Sequence, residues 1–163
     1  LLKMRTIKQE FAVLIPNSGN SKPKKKLTEM YTQEGSIMLF NLKKIKKVGL
    51  FDENFFLYWE DVDLCNRINE KKYKIITVND AKAKHFSSKS SKDDLKTFFI
   101  RNINFKYGEY LYQQKIKKLK KLKILRQIIA NFINLIFNLM KFDYKNCFLN
   151  IAYILGIFKF LFK

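Results

Sequence analysis

GSIMLFNLKKIKKVGLFDENFFLYWEDVDLCNRINEKKYKIITV, residues 35–78, carries the densest structural signal in the chain. After Gly35, SIMLF (36–40) is a short apolar run of strand length. NLKKIKKVG (41–49) reads as a short helix. Asn41 can cap it, Leu42, Ile45 and Val48 share a face, and Gly49 can stop it. FDENFFLYW (51–59) is an aromatic-rich connection. EDVDLCNRINEKK (60–72) is helical by its charge order: acids in the first turn and lysines in the last suit the helix dipole. YKIITV (73–78) alternates apolar and polar residues, as a half-buried strand does. Upstream, FAVLI (11–15) is a strand ending at Pro16, and NSGNSKPKKK (17–26) is a polar loop with a basic end. Downstream, AKAKHF (81–86) is a further strand and SSKSSKDD (87–94) a loop. The first hundred residues therefore read as mixed α/β.

The remainder reads as helix. An amphipathic pattern runs through Leu95, Phe98, Phe99, Ile103 and Tyr107. KIKKLKKLKIL (115–125) is intensely basic, with Ile116, Leu119 and Leu122 three apart. An apolar stripe continues through Ile128, Ile129, Phe132, Ile133, Leu135, Ile136, Leu139 and Met140, with Asn131, Asn134 and Asn138 expected on the opposite side. CFLNIAYILGIFKFLFK (147–163) is apolar but interrupted by Asn150, Gly156 and Lys159. Helices lying in a membrane plane fit this pattern best. Packing on the domain or on a second chain, and a span over 147–162, are the alternatives.

Length and composition bound these readings. A chain of 163 residues suits one domain of ordinary size, and 47% apolar with 15% aromatic residues excludes wholesale disorder. Five glycines and two prolines argue against a loop-rich sandwich. The net charge of +19 predicts attraction to nucleic acid, anionic lipid or phosphorylated small molecules. Of the 33 basic residues 29 are Lys, a profile that an AT-rich coding sequence also produces. Residues 1–100 hold 20 basic and 12 acidic groups, whereas residues 101–163 hold 13 and 2, which places a boundary near 100–112. Cys65 and Cys147 stand alone and read as reduced core thiols in a cytosolic setting. LLKMRTIKQEF at the start has no long apolar run and no small-residue cleavage site.

Gly49, Phe51, Asp52 and Glu53, then Glu60, Asp61, Asp63 and Leu64, then Arg67, and last His85 before Ser87 and Ser88 form an ordered set of anchors over about 55 residues. In this order they resemble the C-terminal half of the catalytic domain of family-2 glycosyltransferases, especially the bacterial rhamnosyl- and galactofuranosyl-transferase type. The resemblance implies an α/β fold: a partial GT-A (Rossmann-like) glycosyltransferase domain lacking most of its nucleotide-binding half, followed by amphipathic C-terminal helices. Residues 1–100 would be its acceptor side and residues 101–163 a basic, membrane-associated extension. It further implies inverting transfer of a hexose from a nucleotide-sugar donor to a lipid-linked or surface glycan, in cell-surface polysaccharide biosynthesis. Asp61 would be the base that takes the acceptor proton. Glu60, Asp63, Trp59 and Tyr58 would contact the acceptor. His85 would help hold a divalent cation, Mg²⁺ or Mn²⁺, against the diphosphate. Nothing in residues 1–34 supplies the donor half, so the resemblance implies a fragment of a longer enzyme with little affinity of its own for sugar nucleotide.

Each of these residues also has a plainer reading. Acids at a helix start commonly cap it, a lone His after a strand is commonly structural, and Tyr58 and Trp59 suit a core. Asp52 and Glu53 suit a loop-fixing role. Asp61-Val62-Asp63 is an Asp-x-Asp, yet a metal motif should end an early strand. The main competitor to the enzyme is a non-catalytic membrane-binding remnant or scaffold. Nucleic-acid binding is disfavoured: Arg is rare, and no helix-turn-helix, zinc or RNP signature occurs. An anionic membrane surface contacted through residues 113–163 is the expected partner, with the protein peripheral on the cytoplasmic face of a bacterial cell membrane.

Overall fold

The computed structural model describes residues 11–17, 26–32, 37–82 and 94–163. Its contacts divide the chain into two units. The sheet unit comprises Leu1–Asp52 and Glu60–Ser87, and the helical unit comprises Glu53–Trp59 and Ser88–Lys163.

The sheet unit has strands β1 (Phe11–Asn17), β2 (Leu27–Met30), β3 (Leu39–Phe40) and β4 (Lys74–Lys82), with helices α1 (Leu42–Val48) and α2 (Glu60–Glu70). The strand order is β2-β4-β1-β3. Among the described residues only β1 and β4 are parallel, with Leu14 opposite Ile76; β2 on β4 and β3 on β1 are antiparallel. Along β4 the buried residues are Ile75, Thr77 and Asn79, the period of two that a strand imposes. Ile75 meets Ile45 of α1 and Leu64, Cys65 and Ile68 of α2 in one core cluster. α1 starts where the Asn41 side chain accepts from the Lys44 N–H, and it stops at Gly49, whose φ of 88° favours glycine.

The helical unit contains α3 (Leu95–Lys115), α4 (Lys121–Met140) and α5 (Tyr144–Leu161), and α5 packs against both others. Asp94 caps α3 by accepting from the Thr97 N–H at 2.7 Å, and Asp143 caps α5 through Asn146. These bonds hold both carboxyls below the usual carboxylate range. α3 and α4 both end in Schellman turns. In the first, the Lys118 N–H reaches Gln113 O and the Lys117 N–H reaches Gln114 O; in the second, the Asp143 N–H reaches Asn138 O and the Phe142 N–H reaches Leu139 O. Lys117 and Phe142 take the left-handed position with φ near 55°, where glycine is usual. α3 is covered on more than one side. Tyr107 and Leu111 pack with Phe55, and Tyr110 packs with Ile124 of α4 and Ile157 of α5.

This architecture corrects the expected partial Rossmann-like GT-A domain. A doubly wound nucleotide-binding sheet repeats parallel strand–helix–strand crossovers. Here a small open sheet has one parallel pair, edge strands of 4 and 2 residues, and helices of 21, 20 and 18 residues that dominate the chain. Of the described residues of SIMLF, Ile37 and Met38 are irregular and Leu39–Phe40 form the strand. The expected strand over 81–86 is observed as far as Lys82, the end of β4, and its remainder lies outside the described residues.

Candidate functional site

Five of the six residues singled out in sequence lie among the described residues, divided between the two units. Tyr58 and Trp59 belong to the helical unit, whereas Glu60, Asp61 and Asp63 open α2 in the sheet unit. His85 lies outside the described residues. Asp61 Oδ1 accepts from the Val62 N–H at 2.8 Å, a bond local to the helix start. Glu60 has one carboxylate oxygen that is buried without a hydrogen-bond partner. Burial pushes its carboxyl up, and the neighbouring Asp61 charge adds to the shift.

Asp63 is 3% exposed and ion-paired to Arg67, with Oδ2 2.8 Å from Nε. The same guanidinium donates to three carbonyls at the end of α1: Val48 and Gly49 from Nη1 at 3.0 and 3.1 Å, and Leu50 from Nη2 at 2.6 Å. Asp63 therefore holds a clamp that ties α2 to the end of α1. Trp59 stacks on Tyr112 with ring centroids 5.5 Å apart, and Tyr58 meets Phe105 edge-on at 5.8 Å. Both residues have left-handed backbones, with φ of 72° and 67°, a strained geometry held by packing on α3. Among the described residues no group of three His, Cys, Asp or Glu side chains comes together in a metal-binding arrangement. The divalent-cation expectation rested on His85, which the described residues do not include.

The chain has no match among protein-family models, curated proteins or solved structures. With no doubly wound sheet and no metal-binding cluster among the described residues, the glycosyltransferase reading does not stand. Neither does its enzymatic activity, its nucleotide-sugar chemistry or the role of Asp61 as base.

The helical unit shows a different feature. Along α4 the buried and half-buried residues are Ile124, Gln127, Ile128, Asn131, Leu135 and Asn138, one helical face that includes three amides. Asn131 donates to Gln127 O within this face. Asn131 and Asn138 thus lie opposite the exposed apolar residues, as the sequence pattern predicts, and on the packed side of the helix. The exposed residues include Leu122, Leu125, Ile129, Phe132, Ile133, Ile136 and Met140, the last 75% exposed. These recur three and four apart and form one continuous apolar face. A water-facing helix normally turns its amides out and its isoleucines in; α4 does the reverse along most of its length. Apolar faces of this extent are covered by lipid or by another protein.

The turn before α4 is basic. Lys117, Lys118, Lys120, Lys121 and Lys123 are all exposed. The first turn of α4 holds no acid, and Lys120 at the capping position makes no side-chain cap bond. Cations at a helix N-terminus oppose the dipole and cost a few tenths of a kcal/mol each. A sequence that breaks a local rule repeatedly at one place is under another demand there.

Proposed function

We propose that the protein is a non-catalytic membrane-binding module whose helical unit lies on an anionic lipid surface through α4 and the lysines before it. The observation that carries this reading is the exposed apolar face of α4 beside an exposed lysine cluster. Apolar side chains would enter the headgroup boundary while the ammonium groups stay at phosphate level. α4 is also, among the described residues, long and apolar enough to cross a bilayer by length and composition. The in-plane reading is preferred because Lys123, Arg126 and Asn134 are exposed beside the apolar face, where a span would present them to hydrocarbon. Such a protein would be peripheral on the anionic cytoplasmic face of a cell membrane.

Sedimentation with vesicles tests this. The chain will partition onto phosphatidylcholine vesicles containing phosphatidylglycerol and far less onto phosphatidylcholine alone. The double substitution Lys118→Gln/Lys120→Gln will weaken anionic binding by about 30-fold, from roughly 1 kcal/mol per lysine near the surface. Equal partition onto neutral vesicles, or none onto either, would sink the reading.

Lys120→Asp should move stability and binding in opposite directions. An acid at the capping position satisfies an orphan N–H and faces the positive end of the dipole, gaining about 1 kcal/mol. The same change removes one positive charge and adds a negative one, so vesicle affinity falls by at least tenfold, by the same per-charge estimate. Chemical denaturation and vesicle sedimentation on one preparation read both. A loss of stability together with unchanged affinity would contradict the frustration argued for this turn.

A further inference from the structure

A pocket of about 570 Å³ opens in the helical unit, within the size range of small-ligand sites. Its apolar wall is formed by Leu119, Ile124 and Ile128 with Phe160 of α5, and Lys117 and Lys121 are its cationic residues. These four apolar residues are buried or half-buried, whereas Leu125 and Leu161, which also line the pocket, and both lysines are exposed. No acid lines the pocket, and neither lysine is ion-paired to a described residue. Lys121 is also the first residue of α4, so the uncapped start of that helix borders the pocket. Beneath the wall lies Tyr110, fully buried in the same cluster as Ile124 and Phe160.

We propose that this pocket binds a single anionic phospholipid, with one acyl chain against the apolar wall and its phosphate between the Lys117 and Lys121 ammonium groups. The proposal rests on the membrane reading and makes it more specific: it adds one saturable lipid site to a surface that otherwise adsorbs by area and charge. Two chemistries meet at one place, an apolar cleft and a pair of exposed cations, and a phospholipid satisfies both. A free phosphate would use only the lysines, and a neutral lipid only the wall. Lysine suits the headgroup because it acts as a mobile point charge, tolerant of how deep the chain sits.

Calorimetric titration of the full chain with three monomeric probes tests this: dihexanoyl phosphatidic acid, dihexanoyl phosphatidylcholine and inorganic phosphate. The phosphatidic acid should bind with one-to-one stoichiometry, at least tenfold more tightly than either other probe. Ile128→Trp, which fills the pocket from the wall, should abolish that binding while sedimentation with anionic vesicles persists. Lys117→Gln/Lys121→Gln, confined to exposed side chains and therefore safe for the fold, should weaken phosphatidic acid at least tenfold and leave phosphatidylcholine unchanged. Equal affinity for inorganic phosphate would overturn the proposal in favour of a free-anion site. Vesicle binding by the wild type without uptake of monomeric phosphatidic acid would overturn the pocket and leave the membrane reading standing. Uptake of monomeric lipid without vesicle binding would do the opposite.

Discussion

Arg67→Ala will lower the stability of the sheet unit by about 3 kcal/mol or more, because it removes one partner of a buried ion pair and leaves the other behind. Asp63 is almost wholly out of water, so its carboxylate cannot exchange the guanidinium for solvent. The Val48, Gly49 and Leu50 carbonyls lose their shared donor in the same step. Arg67→Lys will recover only part of the loss, since one ammonium cannot serve a carboxylate and three carbonyls in the geometry of a planar fork. Hydrogen exchange reads this locally. Amides of α2 and β4 should lose protection, whereas those of α3 and α5 in the helical unit should change little. A double-mutant cycle with Asp63→Asn completes the experiment. A coupling below about 0.5 kcal/mol would show that the clamp does not hold α2. The expected size also explains why Asp63 and Arg67 lie four apart in the sequence: that spacing places both on one helix face, a structural demand that needs no substrate.

That clamp shows why the acidic stretch was misleading. Helix α2 itself was legible: Glu60, Asp61 and Asp63 signalled a helix start, and the helix begins at Glu60. Asn41 and Gly49 likewise bracketed α1, and the alternation of YKIITV marked the start of β4. These are local signals, each produced by a few neighbouring residues. The ordered anchors from Gly49 to Arg67 are local signals too: a helix stop, a helix start and a buried ion pair reproduce them without any catalytic site. The sheet order was not legible, because pairing β4 in parallel with β1 and antiparallel with β2 depends on contacts between residues far apart in the sequence, such as Leu14 with Ile76 and Leu27 with Val78. The aromatic residues of Glu53–Trp59 mark a connection in the sequence, but nothing local to it says that this segment belongs with the helical unit.

The helical half hid its boundaries and its faces for separate reasons. Glycine usually marks a helix stop, but α3 and α4 end on Lys117 and Phe142 in the left-handed position. α3 is packed on more than one side, so its buried set includes Lys106 and Asn104 as well as Tyr107 and Leu111. Lys106 is ion-paired to Glu109, 2.8 Å away. For α4 the periodicity was plain in the sequence, yet periodicity separates two faces without saying which one meets solvent. Only the packing of α4 on α5 shows that Asn131 turns inward and Ile129, Ile133 and Ile136 turn outward. That inversion had one sequence correlate, the lysines crowded at the start of α4 where a helix prefers acids.

Gly156→Val will have the other large effect, lowering the melting temperature of the helical unit by roughly 10 °C or more, as about 2 kcal/mol does in a domain of this size. Glycine within a helix ordinarily costs stability, and replacing it with alanine gains up to about 1 kcal/mol. At Gly156 the sign reverses. A Cβ there would stand 2.6 Å from Ile103 O, 2.8 Å from Lys106 Cβ and 3.3 Å from Tyr107 N. Two of these three atoms are backbone of α3 and cannot rotate away, so α3 and α5 must separate. Separation also strains the bond from Lys159 Nζ to Asn104 Oδ1, now 2.7 Å, and draws Lys159 off the Tyr107 ring, 4.7 Å away. Gly156→Ala will show the same sign at smaller size, which distinguishes a steric wedge from a general effect of β-branching. The pocket supplies a second readout. Phe160 and Leu161 line it from α5 and Gln114 from α3, so pushing these helices apart reshapes its wall. Uptake of monomeric phosphatidic acid should therefore weaken in Gly156→Ala at temperatures where the unit is still folded. Adsorption to anionic vesicles, which depends on the outward face of α4, should persist. A Gly156→Ala protein that melts at or above the wild-type temperature would show that α3 and α5 are not in the close contact from which both expectations follow.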